Sequence, residues 1–418
     1  MAGISRLQKG REVSPRLWRL TGIAALVVAG SGCVTRETLP QPLASTHKAE
    51  AEVAEPQLLD VGIGVFDPNV PASEKEQKAQ RIDADVRTAE ARYMPVLLAS
   101  TLQGSGYWGQ VRVVPHGLTA FDVNIAGTIL ESTGEELKLA IVAADATGHV
   151  WFSKHYDGEP DTRAYKTGAT TKRDPFQNLY VQIADDLTDA RAKLRPADFA
   201  KIRNVALLRF DSELAPYAYQ SYLQRQHDGT YRILRLPAED SPLAERLQQV
   251  RERDYALLDT LDDQYQLSAE KIADSYVNWR RSNYSELEQE VDLKHSARMR
   301  MLLGAAAVIG GLAAATHSSS TAATQVAGTI GVMAGIEAFK SGMGQNAEAK
   351  AHAESIKQQI ESFSAEVAPM NVDLEGKVVE LRGSGEQQFL EWRRLLKELY
   401  QNETGLGDPG AGIAPAKP

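Results

Sequence analysis

Three observations predict an α+β or α/β N-terminal part followed by a mainly α-helical domain. Residues 57–156 read as a strand, a helix and then four strands; residues 243–300 contain neither Gly nor Pro; and residues 302–339 form an Ala/Gly-rich stretch in two apolar arms. A length of 418 residues suggests more than one domain, and 43% hydrophobic with 24% charged residues is the composition of a chain that packs cores. The net charge of -9 offers no surplus of cations for phosphates, so nucleic acid is not an expected partner.

The first element is an address. Arg6, Lys9, Arg11, Arg16 and Arg19 precede an apolar run from Leu20 to Ala29, and Gly30-Ser31-Gly32 leads into Cys33. At about ten residues this run is too short for a membrane span, which needs roughly 20. Cys33 is the sole cysteine, so neither an intrachain disulfide nor a Cys-based metal site is available. On these residues the chain resembles a bacterial lipoprotein precursor, departing from the usual pattern in having Gly30 three positions before the cysteine, where an aliphatic residue is common. The resemblance implies lipidation of Cys33, cleavage before it and, with Val34 next, sorting to the periplasmic face of the outer membrane.

Residues 34–56 read as a flexible tether, polar and without hydrophobic period. After it, Leu58 to Phe66 is a strand stopped by Asp67-Pro68, and Asp83 to Gln103 is a helix that Pro95 should kink or split and that Gly104 and Gly106 end. Gly109–Pro115, Phe121–Glu131, Leu137–Ala144 and His149–Tyr156 follow as strands, with Ser132-Thr133-Gly134 and Asp145-Ala146-Thr147-Gly148 as turns. Asp174 to Leu194 has the apolar period of a helix packed on that sheet.

This order, with the phrase DVNIAGTILESTGEELKLAIVAADATGHVWF, resembles a periplasmic fold group. It comprises the N-terminal domain of the Tol system's translocation protein, the outer-membrane activators of penicillin-binding proteins and the curli-channel lipoprotein. The resemblance covers roughly residues 57–156 and implies adaptor or assembly roles with envelope proteins as partners.

Residues 196–240 read as a second β-α-β unit, with Asn204–Asp211 as strand, Leu214–Gln224 as helix and Gly229–Pro237 as strand. True repeat and ordinary β-α-β unit both fit. From Ser241-Pro242, a helix start, two or three long helices are expected, with a packed seam marked by Tyr255, Tyr265, Tyr276, Trp279 and Tyr284. Trp279-Arg280-Arg281 recurs as Trp392-Arg393-Arg394, read as an aromatic anchor with arginines beside the seam.

In the hairpin 302–339, Gly311, Gly331 and Gly335 lie on stripes of small residues that permit close helix packing. The arms reach about 22 and 27 Å, short of the ~30 Å hydrocarbon core. Burial against protein, including a homo-oligomer, competes with a membrane pore or ring. Val372–Arg382 is a strand or hairpin, Ser384–Asn402 a helix with a Ser384/Gln387 capping box, and 404–418 a disordered tail. The domain plan is therefore 1–33, 34–56, 57–195, 196–240, 241–403 and 404–418.

Chemistry is sparse. The eight histidines show no H-x-x-x-H spacing, and no G-x-S-x-G, S-x-x-K or Walker sequence occurs. Asp185-Asp186 and Asp262-Asp263 could serve a cell-wall hydrolase, but adjacent helical carboxylates diverge and read as solvated faces. No cofactor, metal or catalytic residue is expected. The leading expectation is a non-enzymatic envelope scaffold, with the pore and the hydrolase as alternatives.

Overall fold

The computed structural model describes residues 44–119, 121–166, 173–238, 240–314, 351, 353–358, 370–374 and 377–404, with backbone alone for 286–314, 370–378 and 401–404. Cys33, Gly331, Gly335, most of the 302–339 hairpin and the tail lie outside the described residues; Gly311 falls in a helix.

A mixed sheet forms the first layer. Its order is β2 (Val111–Val114), β1 (Val61–Gly64), β3 (Val123–Ser132), β4 (Leu137–Asp145), β5 (Val150–Gly158). β1 runs parallel to both neighbours, and β3, β4 and β5 form an antiparallel meander. β1 is buried along its whole length, as its unbroken apolar run requires, whereas β3 and β4 alternate in burial, so one face meets the core.

Helix α1 spans Glu74–Ala79, and α2, Ala84–Gln103, starts at Asp83, whose carboxylate accepts from the Asp85 and Val86 N–H groups. Pro95 sits inside α2 without splitting it. The missing N–H of Pro95 frees the Ala91 carbonyl, and the Phe66 N–H donates to it at 2.9 Å. The proline thus stitches α2 to the chain leaving β1. Helix α3, Gln177–Arg191, lays Leu179, Tyr180, Ile183 and Leu187 into the core as its period indicates.

Residues 204–211 overturn the second β-α-β unit: they belong to helix α4, Pro196–Leu214. Pro196 at the first position and Asp198, whose carboxylate accepts from the Arg195 N–H at 2.9 Å, start that helix eight residues before the segment that looks strand-like. Phe199, Ile202, Val205, Ala206 and Phe210 then bury one helical face. A short α5, Pro216–Tyr219, and a hairpin of β6 (Leu223–Arg225) and β7 (Tyr231–Ile233) complete the region.

The expected two or three long helices are one, α6, Pro242–Ala314. Its 73 residues span about 110 Å at the usual rise. With no Gly or Pro before Gly304, nothing in the chain interrupts the hydrogen-bond ladder. The hairpin of β8 (Met370–Leu374) and β9 (Lys377–Leu381) and helix α7 (Gly385–Thr404) follow, the latter with the Ser384/Gln387 capping box in place.

One hydrophobic cluster runs from Leu59 through Val205 and Leu258 to Tyr400, so the boundaries read at 195/196 and 240/241 fall inside a shared core. A smaller cluster joins Val86, Ala89 and Tyr93 of α2 to Ala269, Ile272 and Tyr276 of α6 and to Ile356.

Candidate functional site

Where α6 meets α2 and the β3–β4 turn, Arg87, Glu90, Asp174 and Arg280 are buried together. Glu90 and Arg280 are both 1% exposed, a position that ionised groups occupy only when fully partnered. Glu90 lies on the apolar stripe of α2, one turn from Val86 and from Met94, and Arg280 lies one turn after Tyr276. Helical period alone therefore carries both charges inward.

Their partners come from four parts of the chain. The Glu90 carboxylate accepts from the Tyr276 hydroxyl at 2.7 Å and the Ser132 hydroxyl at 2.5 Å, and it pairs with Arg87 Nε at 3.2 Å and Arg280 Nη2 at 3.4 Å. Arg280 also donates to the Thr133 carbonyl at 2.7 Å and Ser132 Oγ at 3.0 Å, and its guanidinium lies over the Phe176 ring at 4.4 Å. Burial works against the Arg280 charge, but Tyr276, Glu90, Tyr165 and Asp174 outweigh it and hold the guanidinium above its ordinary pKa. Asp174, also buried, is pushed up by desolvation against the pull of Arg280.

Gly134 lets the β3–β4 turn reach the helix. A Cβ there would stand 2.3 Å from the Tyr284 nitrogen and 2.4 Å from the Arg280 carbonyl oxygen, both backbone atoms that cannot rotate away. The Tyr165 hydroxyl donates to the Gly134 carbonyl at 2.8 Å, and the Tyr165 ring meets Tyr284 at 5.2 Å. Gly134→Ala is expected to lower stability by about 1–3 kcal/mol through overpacking, with an unchanged urea m-value. A urea midpoint equal to that of the parent chain would refute this backbone contact.

Further along α6, the expected aromatic seam is present, but it faces the α/β layer as well as α7. Tyr255 stacks on Phe121 at 5.8 Å, Tyr276 meets Tyr93 at 4.7 Å, and the Tyr265 hydroxyl donates to Glu386 of α7 at 3.1 Å. Asp262 departs from the solvated reading: it is 8% exposed and accepts from the Val113 N–H at 2.7 Å, while Arg112 pairs with Asp259 at 2.5 Å. Helix α6 thus covers the free edge of β2, which would otherwise present unpaired N–H groups. Of the other acidic pair, Asp186 accepts from the Tyr156 hydroxyl at 2.7 Å and pairs with Lys154 at 2.8 Å.

The second Trp-Arg-Arg repeats the device. Trp392 and Arg393 are buried, Arg393 Nε faces the fully buried Asp254 of α6 at 3.5 Å, and its guanidinium lies over Phe210 of α4 at 5.1 Å. The reading of these arginines as lying beside the seam holds for Arg394, which pairs with Glu391 and Glu398 on the surface, but not for Arg280 or Arg393. The missed signal was positional: Arg280, Arg393, Glu90 and Asp254 each fall on an apolar stripe, where a charge demands a partner.

Among the described residues no group of three or more His, Cys, Asp and Glu side chains could hold a metal ion. The chain matches no protein-family model, no curated protein and no solved structure.

Proposed function

We propose that the chain is an outer-membrane lipoprotein, held on the periplasmic face through Cys33, that acts without catalysis as a scaffold or assembly factor for an envelope complex. The observation that carries this reading is the course of α6. Buried ion pairs and aromatic contacts seat it on the α/β layer as far as Tyr284, and it continues unbroken to Ala314, about 45 Å further at the usual rise. A helix seated so firmly fixes where the start of the Ala/Gly-rich segment 302–339 stands, and the small residues of that segment recur at the spacing that permits close helix packing. Among the described residues no helix is long and apolar enough to cross a membrane.

The anchor gives the first test. Cys33→Ser removes the one thiol able to carry a diacylglycerol, and the chain is then expected in the soluble fraction, or as uncleaved precursor, rather than in the outer membrane. Retention of the Cys33→Ser variant in outer membranes washed with high salt would sink the lipid anchor.

A further inference from the structure

A groove of about 370 Å³ lies where the β4–β5 turn meets the end of α3 and the start of α4. Its volume is at the small end of ligand sites, ~300–1,000 Å³, which suits a ligand of one or two rings. Trp151 lines it, and that ring is fixed in advance from two sides. The indole N–H donates to Asp145 Oδ2 at 2.9 Å, and Trp108, itself 4% exposed, backs the ring at 6.2 Å. Asp145 is fixed in turn, since its other oxygen accepts from the Thr147 N–H at 2.8 Å and the Thr147 hydroxyl at 2.5 Å. An aromatic wall whose rotamer is set before binding loses little entropy when a ring stacks on it.

The charges around this wall are unequal in availability. Both lining carboxylates are engaged: Asp145 as above, and Asp198 by Arg195, whose Nε and Nη2 donate to it at 3.0 Å each. The hydrogen bonds from Arg195 hold the Asp198 carboxyl down at about 2, so it stays ionised. Lys193, in the turn after α3, and Lys201, on α4, line the groove, are exposed and form no ion pair among the described residues. The uncommitted charge is thus positive, on a chain of net charge -9. His149 and the remaining lone pairs of Asp198 add acceptors beside these donors. Hydroxyl groups, which both donate and accept, fit such a mixture, and beside the ionised Asp198 a singly charged carboxylate is repelled less than a phosphate dianion.

We propose that this groove binds a carboxylated saccharide of one or two rings, its apolar ring face on Trp151 and its carboxylate between Lys193 and Lys201. This assignment is independent of the lipid anchor and of the partner of α6.

The test is ligand-observed NMR and tryptophan fluorescence on the purified full chain. Glucuronic acid and N-acetylmuramic acid are the acidic probes, with glucose, N-acetylglucosamine and inorganic phosphate as controls. The acidic sugars are expected to bind saturably and about tenfold more tightly than the neutral ones. The Lys193→Ala/Lys201→Ala double variant should lose about tenfold in affinity at unchanged thermal midpoint, and Trp151→Ala should remove binding. Because Trp151→Ala disturbs packing on Trp108, the surface lysine variant carries the decision. Equal affinity for neutral sugars, indifference to the lysine substitutions, displacement by phosphate, or saturation by a poly-glutamate peptide with no sugar binding would each overturn the proposal.

Discussion

Replacing Arg280 by Ala is expected to cost about 3–5 kcal/mol of unfolding free energy, the penalty for removing one partner from a buried ion-pair network. Glu90 would keep Arg87 at 3.2 Å but lose the cation that links it to α6, and Asp174 would lose the guanidinium that offsets its burial. The Thr133 carbonyl and the face of Phe176 would lose their partner as well. Arg394→Ala supplies the contrast: its pairs with Glu391 and Glu398 are exposed, and removing them should change stability by about 0.5 kcal/mol or less. Urea titration of the two variants measures the difference. An Arg280→Ala chain within about 1 kcal/mol of the parent, taken as the low edge of a meaningful core effect, would show that the seat does not depend on this ion pair.

Stability is expected to fall as pH rises from about 5 to 8, the reverse of the usual carboxylate behaviour. Burial raises Asp211 of α4 to about 7, and it raises Asp254 of α6 and Asp122 before β3 each to about 6, against 3.8 for an ordinary Asp. The opposing cations are Arg251 for Asp211, Arg393 for Asp254, and Arg203 with Arg251 for Asp122; Glu213 and Asp60 push Asp254 and Asp122 further up. Since the folded chain binds more protons than the unfolded one between these limits, the stabilisation is complete below about pH 3.8 and lost as pH climbs through 6 to 7. Asp211 alone accounts for something on the order of 4 kcal/mol, a large part of a typical 5–15 kcal/mol total. Below about pH 4 the sign reverses, because Asp198, Asp161 and Glu386 are lowered and their contributions disappear on protonation. A stability maximum between about pH 4 and 5 follows. Urea midpoints measured from about pH 4 to 8 test this, and Asp211→Asn, which keeps the shape and removes the titration, should flatten the profile. A profile that rises from about pH 5 to 8 would contradict it.

Legibility differed sharply between local and distant features. Strands β1 to β5, the turn at Ser132-Thr133-Gly134, the Ser384 cap and the body of α3 were readable because each is specified by residues within one or two turns of one another. Residues 204–211 misled for the same reason: NVALLRFD is locally a short apolar run with a polar end, but its start signal, Pro196 with Asp198, lies upstream, and a helix once begun carries such a segment along. Pro95 predicts a break, and the break is averted by an N–H from Phe66, a residue 29 positions away in sequence.

By itself, then, the sequence determined a mixed α and β N-terminal part, the order of its strands along the chain and the helical character after Pro242, since all are properties of local period and composition; that this stretch is one helix and not two or three was not among them. Only the tertiary structure decided which charges are buried and what they hold. Arg280 and Arg394 are both arginines of a Trp-Arg-Arg triplet on a helix, yet one is enclosed by Glu90, Ser132, Thr133 and Phe176 and the other faces water. Asp262 and Asp263 are neighbours, and only the former meets the edge of β2. An ionised group's energy depends on what surrounds it within a few ångströms, and those surroundings come from segments up to 190 residues apart.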